Sequence, residues 1–238
     1  MALGRKTIQV EQRADTLDPF IHEGEAKMLV HQQTHHVKRT VTGYLRVFEK
    51  LLHEIDLQSV ERVVQRLQVA SERGAMVYIA GNGGSAATAS HWVNDLGKMT
   101  EGSALPPMRV MSLSDNVSWL TALANDEGYE RIFSGQLENF AQPGDVLIVI
   151  SAGGNSPNLV RAVELARNRG VISIGLLGFD GGVLKKMVDE CLWLPSEKGA
   201  YGLVESGQGL LCHILTACLE NFPAAVAVSE KAERAYAR

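Results

Sequence analysis

The sequence is poor in cysteine: Cys191, Cys212 and Cys218 are the only three, and none forms a CxxC pair. An odd, unpatterned set supports neither a disulfide framework nor a cysteine metal cluster, so a reducing, cytoplasmic compartment is expected. Runs of basic residues are absent, and the formal net charge is −4 with a pI near 6.0. A nucleic-acid backbone finds no electrostatic footprint on such a chain, and no nucleic-acid partner is expected. No apolar stretch approaches the roughly 20 residues of a membrane span, so no membrane partner is expected either. The first twenty residues are polar, mixed in charge and without the apolar core of a signal peptide; they read as a loose arm. Internal repeats and low-complexity segments are missing too. What remains is ordinary for a soluble globular protein, 45% hydrophobic and 21% charged residues over 238 positions. That length holds one α/β domain with extra helices, or two small domains.

The apolar pattern falls into two regimes. Val41, Leu45, Phe48, Leu52 and Ile55 recur at helical spacing, and Val60, Val63, Val64 and Leu67 form a second stripe that Gly74 closes as a C-terminal cap. From there short apolar runs alternate with helical stretches. The runs are 76–80, 108–113, 146–150, 171–177 and 191–194; the helices are expected at 85–99, 116–140, 157–169, 181–188 and 203–221, with Pro223 ending the last. Runs without polar alternation are strands buried on both faces. The fold class is therefore α/β, a doubly wound five-stranded parallel sheet of flavodoxin-like type with extra N-terminal helices. In domain terms, an arm over 1–20 precedes a single domain over 21–238, whose leading helices fill 21–73.

Two strands end in loops that open directly into helices. One is Gly81-Asn82-Gly83-Gly84-Ser85; the other is Ser151-Ala152-Gly153-Gly154-Asn155-Ser156, followed by Pro157. Glycines admit close backbone approach, helix N-termini offer free N–H groups to an anion, and serine hydroxyls add neutral donors. Ser156 sits where an N-cap belongs, since proline is best tolerated in the first helical turn. Each loop alone could be a tight βα turn. Two at strand C-termini are the walls of a ligand crevice, and phosphate is the favoured ligand. Neither loop fits GxxxxGK[ST] or GxGxxG, which weakens nucleotide readings. Separately, His91 and Asp95 stand at i and i+4 on one helix face, a spacing that serves a metal ion or a plain surface contact. Glu205 and His213, eight residues apart on one helix, lie roughly 12 Å apart along its axis. They could share an ion only by leaning together, through a non-helical Glu205, or across subunits.

Gly81-Asn82-Gly83-Gly84-Ser85 with His91, Asn125-Asp126, Ser151 through Pro157, and Val204-Glu205 with His213-Ile214-Leu215 resemble the SIS-domain phosphoheptose isomerases over about residues 40–222. The resemblance implies an SIS fold and aldose–ketose isomerisation of a sugar phosphate, foremost sedoheptulose 7-phosphate to D-glycero-D-heptose 7-phosphate. It implies a Zn²⁺ ion on His91, Asp95, Glu205 and His213. Sugar and phosphate contacts fall on Asn82, Gly83, Gly84, Ser85, Asn125, Asp126, Ser151, Ala152, Gly153, Asn155, Ser156 and Glu205. Asp95 and His213 become the proton-handling pair, and the assembly a homotetramer with shared active sites. Against the family pattern, Asp95 replaces a glutamate, Glu205 a glutamine, Ala152 and Gly153 a threonine and a serine, and Gly202 an aspartate. The rival reading is a non-catalytic SIS module that binds a protein partner or senses a sugar phosphate.

Among other signals, His31, His35 and His36 read as a solvated helix face rather than a metal or pH-sensing cluster. Asp180 reads as a helix cap, and Trp92 and Trp119 as packing side chains.

Overall fold

In the computed structural model, which describes residues 23–99 and 103–221, each strand alternates its side chains between two apolar layers. Val77 and Ile79 of β1 (Met76–Gly81) enter one core with Ile148 of β3 (Val146–Ser151) and Leu176 of β4 (Ile172–Leu177). Tyr78 and Ala80 enter the other with Leu147 and Val149. With β2 (Arg109–Ser112) and β5 (Glu190–Trp193) they form a wholly parallel sheet in the order β2-β1-β3-β4-β5. The period-two alternation with both faces buried explains the unbroken apolar runs in the sequence.

Helices cover both faces. α2 (Leu57–Arg73), α3 (Gly84–Met99) and α7 (Tyr201–Glu220) supply Val63, Leu67, Trp92, Leu96, Leu211 and Leu215 to the first core. α5 (Ser134–Phe140) and α6 (Pro157–Asn168) supply Leu137, Leu159 and Val163 to the second. Asp56 caps α2, its carboxylate accepting from the Gln58 N–H at 3.1 Å, and Gly74 ends it in the left-handed region at φ 64°. Arg62 and Arg66 on α2 reach the buried Glu190 on β5 at 3.0 and 3.1 Å, tying that helix to the sheet edge. α7 is long and apolar enough to cross a membrane by length and composition. Its Val204, Leu211, Leu215 and Leu219 are fully buried or nearly so, which makes it a core helix.

Two compact units divide the chain at 47/48. α1 (Glu23–His53) carries the described part of the first, where Val37, Val41, Leu45 and Val47 are exposed. His35 and His36 are exposed on this helix, in line with a solvated face. The arm over 1–20, the side chain of His31 and the segment around Pro223 lie outside the described residues.

The expected helices at 116–140 and 181–188 need correction. The first is broken into α4 (Val117–Asp126), a 3₁₀ turn at Tyr129–Arg131 and α5, because Gly128 turns the chain at φ 100°. The second shrinks to a 3₁₀ turn at Leu184–Lys186, since Gly181 and Gly182 sit at φ 85° and 55°. Asp180 thus caps no helix; its carboxylate accepts from the Gly182 N–H at 3.0 Å and shapes that turn.

Candidate active site

Strand order reverses between β1 and β3, so the loops that follow them diverge and leave a crevice at their C-terminal ends. Both loops are built by backbone crowding. In the first, a Cβ on Gly81 would lie 2.6 Å from the Ser85 backbone, and one on Gly84 would lie 2.6 Å from the Glu205 carboxylate. In the second, Ser151 Oγ accepts from the Gly154 N–H at 3.0 Å, and Gly154, at φ 64°, packs on the Gly181 carbonyl. Asn155 locks the second loop to its neighbour: Oδ1 accepts from the Val183 N–H at 3.0 Å and Nδ2 donates to the Gly153 carbonyl at 2.7 Å.

The loops enclose a cavity of about 320 Å³ lined by Asn82, Ser85, Ser151, Ala152, Gly153, Asn155, Ser156 and Glu205, together with Ile150 and Tyr201. Among the described residues no lysine or arginine lines it. An anion there would be held by serine hydroxyls, loop N–H groups and the N-termini of α3 and α6. Ser156 occupies the N-cap position of α6, yet its hydroxyl makes no capping bond, contrary to expectation. That leaves the hydroxyl available to a ligand.

α3 and α7 run parallel from this cavity. Gly84 lies against Glu205, and further along His91 Nε2 lies 3.3 Å from His213 Nε2. Trp92 fixes the spacing: wholly buried, it donates through Nε1 to Thr216 Oγ1 at 3.1 Å. Between the helices the surface sinks into two further cavities. One, of about 240 Å³, is lined by Ala87, Thr88, His91, Trp92, Gly209, Cys212 and His213. The other, of about 530 Å³, is lined by Asn94, Asp95, Lys98, His213, Thr216, Ala217 and Glu220. Successive turns of α3 and α7 thus line these two cavities, which meet at His213, one to three turns beyond Ser85 and Glu205 of the loop cavity.

His91, Asp95 and His213 meet there as a possible metal-binding group, one ligand atom of each within 4.8 Å of the others. Asp95 Oδ2 lies 3.2 Å from His91 Nε2 and 3.6 Å from His213 Nε2. Burial holds the neighbouring Cys212 thiol well above its usual pKa, so it stays protonated and a poor ligand. Glu205 is not brought to this group within the chain. Its carboxylate lines the loop cavity against Gly84, which precedes His91 by seven residues, about 10 Å of helical rise. Asn125 and Asp126 stand exposed at the end of α4, bonded to each other at 2.7 Å, and do not line the cavity. Three residues that the sequence reading passed over belong here. Tyr201 lines the cavity and sets its ring edge-on to Phe179, 5.1 Å between centroids. Asn158 and Tyr129 bond to Asn82.

Residues 43–178 match the family model of the SIS domain, more than half the chain. The phosphoheptose isomerase of Trichlorobacter lovleyi is 38% identical, the match covering 78% of this chain and 92% of that protein. The chain belongs to the SIS-domain phosphoheptose isomerase family. A second member, the phosphoheptose isomerase of Fusobacterium nucleatum, is 40% identical over 66% of this chain and 82% of its own length. The structure of phosphoheptose isomerase GmhA from Neisseria gonorrhoeae superposes with a TM-score of 0.71 at 28% identity, covering 79% of this chain and 98% of that one. Family membership and the observed topology agree on the SIS fold, a parallel α/β sheet with its loops at the strand C-termini.

Proposed function

We propose that the chain is an aldose–ketose isomerase that converts sedoheptulose 7-phosphate to D-glycero-D-heptose 7-phosphate in the cytoplasm. The observation that carries this reading is the pair of helices α3 and α7, which set a hydroxyl-rich loop cavity, with Glu205 as its one carboxylate, in line with the His91–Asp95–His213 group. An extended sugar phosphate suits that alignment, its phosphate on Ser151–Ser156 and its hydroxyls along Asn82–Ser85 and Glu205. Asn125 and Asp126 join the sugar contacts if the substrate reaches the end of α4.

The reaction shifts one proton between adjacent carbons and another between their oxygens. With no ion on them, Asp95 Oδ2 and His213 Nε2 are assigned as the proton-handling pair; an atom that ligates an ion gives up that role to it. The same side chains suit a divalent ion, and two imidazoles with a carboxylate favour zinc. Separations of 3.2, 3.3 and 3.6 Å are close to the edge of about 3.3 Å in a tetrahedral site with arms of about 2.0–2.1 Å. When bound, such an ion supplies electrophilic polarisation of substrate oxygens. Glu205 would complete the ligand set only across a subunit boundary, in a homotetramer with shared active sites.

The test is to incubate the purified chain with sedoheptulose 7-phosphate and a panel of other ketose phosphates, following aldose formation, with elemental analysis of protein prepared without chelator. The expected result is turnover best on the seven-carbon substrate, and near-stoichiometric metal that His91→Ala removes together with activity at an unchanged melting temperature. Full activity at substoichiometric metal would discard the ion and leave Asp95 and His213 as a metal-free pair. A second reading, a non-catalytic sensor or partner-binding module, is favoured by Ala152 and Gly153, which bring no hydroxyl to the cavity. Phosphate binding without turnover of any ketose phosphate would select it.

A further inference from the structure

Asn82 lines the loop cavity, yet its side chain is nearly used up by protein partners. Its Oδ1 accepts from the Tyr129 hydroxyl at 3.0 Å and from Asn158 Nδ2 at 2.8 Å. Its Nδ2 donates to Asn158 Oδ1 at 3.0 Å. A primary amide has two donors and two acceptor sites, so one N–H is left for a ligand. The orientation of the pair is fixed from outside it, because Asn158 Oδ1 also accepts the Leu159 backbone N–H at 2.9 Å.

These bonds join three segments that are distant in sequence. Asn82 belongs to the loop after β1. Asn158, only 1% exposed, is the second residue of α6, directly beyond the loop after β3. Tyr129 opens the 3₁₀ turn that follows Asn125 and Asp126. A reciprocal amide pair whose Asn158 half is buried is costly to leave half-made, which makes it a stiff link between the two loop walls.

We propose that the Asn82 side chain is a keystone between the two loops, and that Asn158 and Tyr129 are positioning residues acting through it. The first loop then meets the ligand with its backbone N–H groups, Ser85 and the one remaining Asn82 N–H, at a separation from Ser151–Ser156 that the amide pair sets. This inference rests on reading the two loops as the sugar-phosphate site.

The experiment compares full-length wild type with Tyr129→Phe, Asn158→Ala, Asn82→Ala and the double variant Asn82→Ala/Tyr129→Phe. Each is measured for sedoheptulose 7-phosphate turnover, inorganic phosphate affinity by calorimetry, and melting temperature. Tyr129→Phe, which removes one oxygen, is expected to melt as wild type while raising KM and the phosphate Kd together by about 3–10-fold, the scale of one hydrogen bond. Asn158→Ala is expected to do more. The double variant should be no worse than Asn82→Ala alone, because Tyr129 has no other route to the ligand. Full additivity would show Tyr129 acting on the ligand directly and overturn the proposal, as would unchanged phosphate affinity in folded Tyr129→Phe and Asn158→Ala. Wild type that binds phosphate but turns over no ketose phosphate sinks the isomerase reading alone, and the keystone is then judged on phosphate affinity. Wild type that binds no phosphate overturns both.

Discussion

Ala152 and Gly153 present a methyl and a hydrogen to a cavity whose other loop residues offer hydroxyls and amides. A Cβ added to Gly153 would meet nothing closer than the Phe179 ring, at 3.8 and 3.9 Å. Gly154, one position on, is the opposite case: at φ 64°, its Cβ would sit 2.0 Å from the Gly181 carbonyl oxygen. Phe179 itself occupies the left-handed region at φ 45°. It is held there by Ser196 Oγ on its N–H at 3.2 Å and by Trp193 Nε1, which donates to its carbonyl at 3.1 Å. The room beside Gly153 is therefore bounded by a fixed wall. Gly153→Ser should fold normally and tighten inorganic phosphate binding by about 1 kcal/mol, roughly fivefold, as one new hydroxyl donor reaches a charged oxygen. Gly154→Ser should instead lower the melting temperature. Calorimetry decides the first point. Unchanged or weaker binding in a well-folded Gly153→Ser protein would mean that this loop does not face the phosphate.

At the scale of elements, the space between α3 and α7 lies between the two halves of the candidate site, and Gly209 is the residue that keeps it open. It lines the smaller cavity there, midway between Glu205 and His213, and a Cβ on it would meet nothing within 4 Å. Glycine inside a helix costs about 0.5–1 kcal/mol relative to alanine, so Gly209→Ala should raise the melting temperature slightly. Gly209→Leu should still fold, but its side chain would fill the passage. Turnover is expected to fall more than tenfold while phosphate affinity is kept. If Gly209→Leu turns over normally, one substrate does not bridge the loops and the His–Asp–His group of the same chain. The elements that frame this groove were legible in the sequence for physical reasons. Buried parallel strands give short unbroken apolar runs, and Gly74 marks a helix end by its left-handed φ. The break inside 116–140 was not read, because apolar residues resume at helical spacing beyond the polar stretch 125–128, and the turn there is marked only by the φ of 100° at Gly128. His91 and Asp95 were legible because i and i+4 is a local relation. Asn158 and Tyr129 were not, since their bonds to Asn82 span 76 and 47 residues and no local period records them.

For the whole molecule, the unresolved physical problem is the apolar surface of α1. Val37, Val41 and Leu45 recur every fourth residue, one stripe along the helix, and stand 58%, 51% and 60% exposed, with Val47 at 50%. Branched aliphatic side chains left in water at this density forgo about 25 cal/mol for every Å² they could bury. The same chain leaves Glu205 outside reach of the His91–Asp95–His213 group, although it is placed for a ligand in the loop cavity. A homotetramer packed through the leading helices would answer both points, covering the stripe and bringing one copy's groove to another's. The expectation is a solution mass of about four times the 25.9 kDa of one chain by light scattering at micromolar concentration. Val41→Glu/Leu45→Glu, which sets two charges in the stripe and touches no candidate site residue, should shift that mass toward the single chain and lower turnover in parallel. A wild-type mass of one chain would overturn the tetramer and the shared site together. A dissociated double variant that keeps full turnover would retain the tetramer but confine the active site to a single subunit.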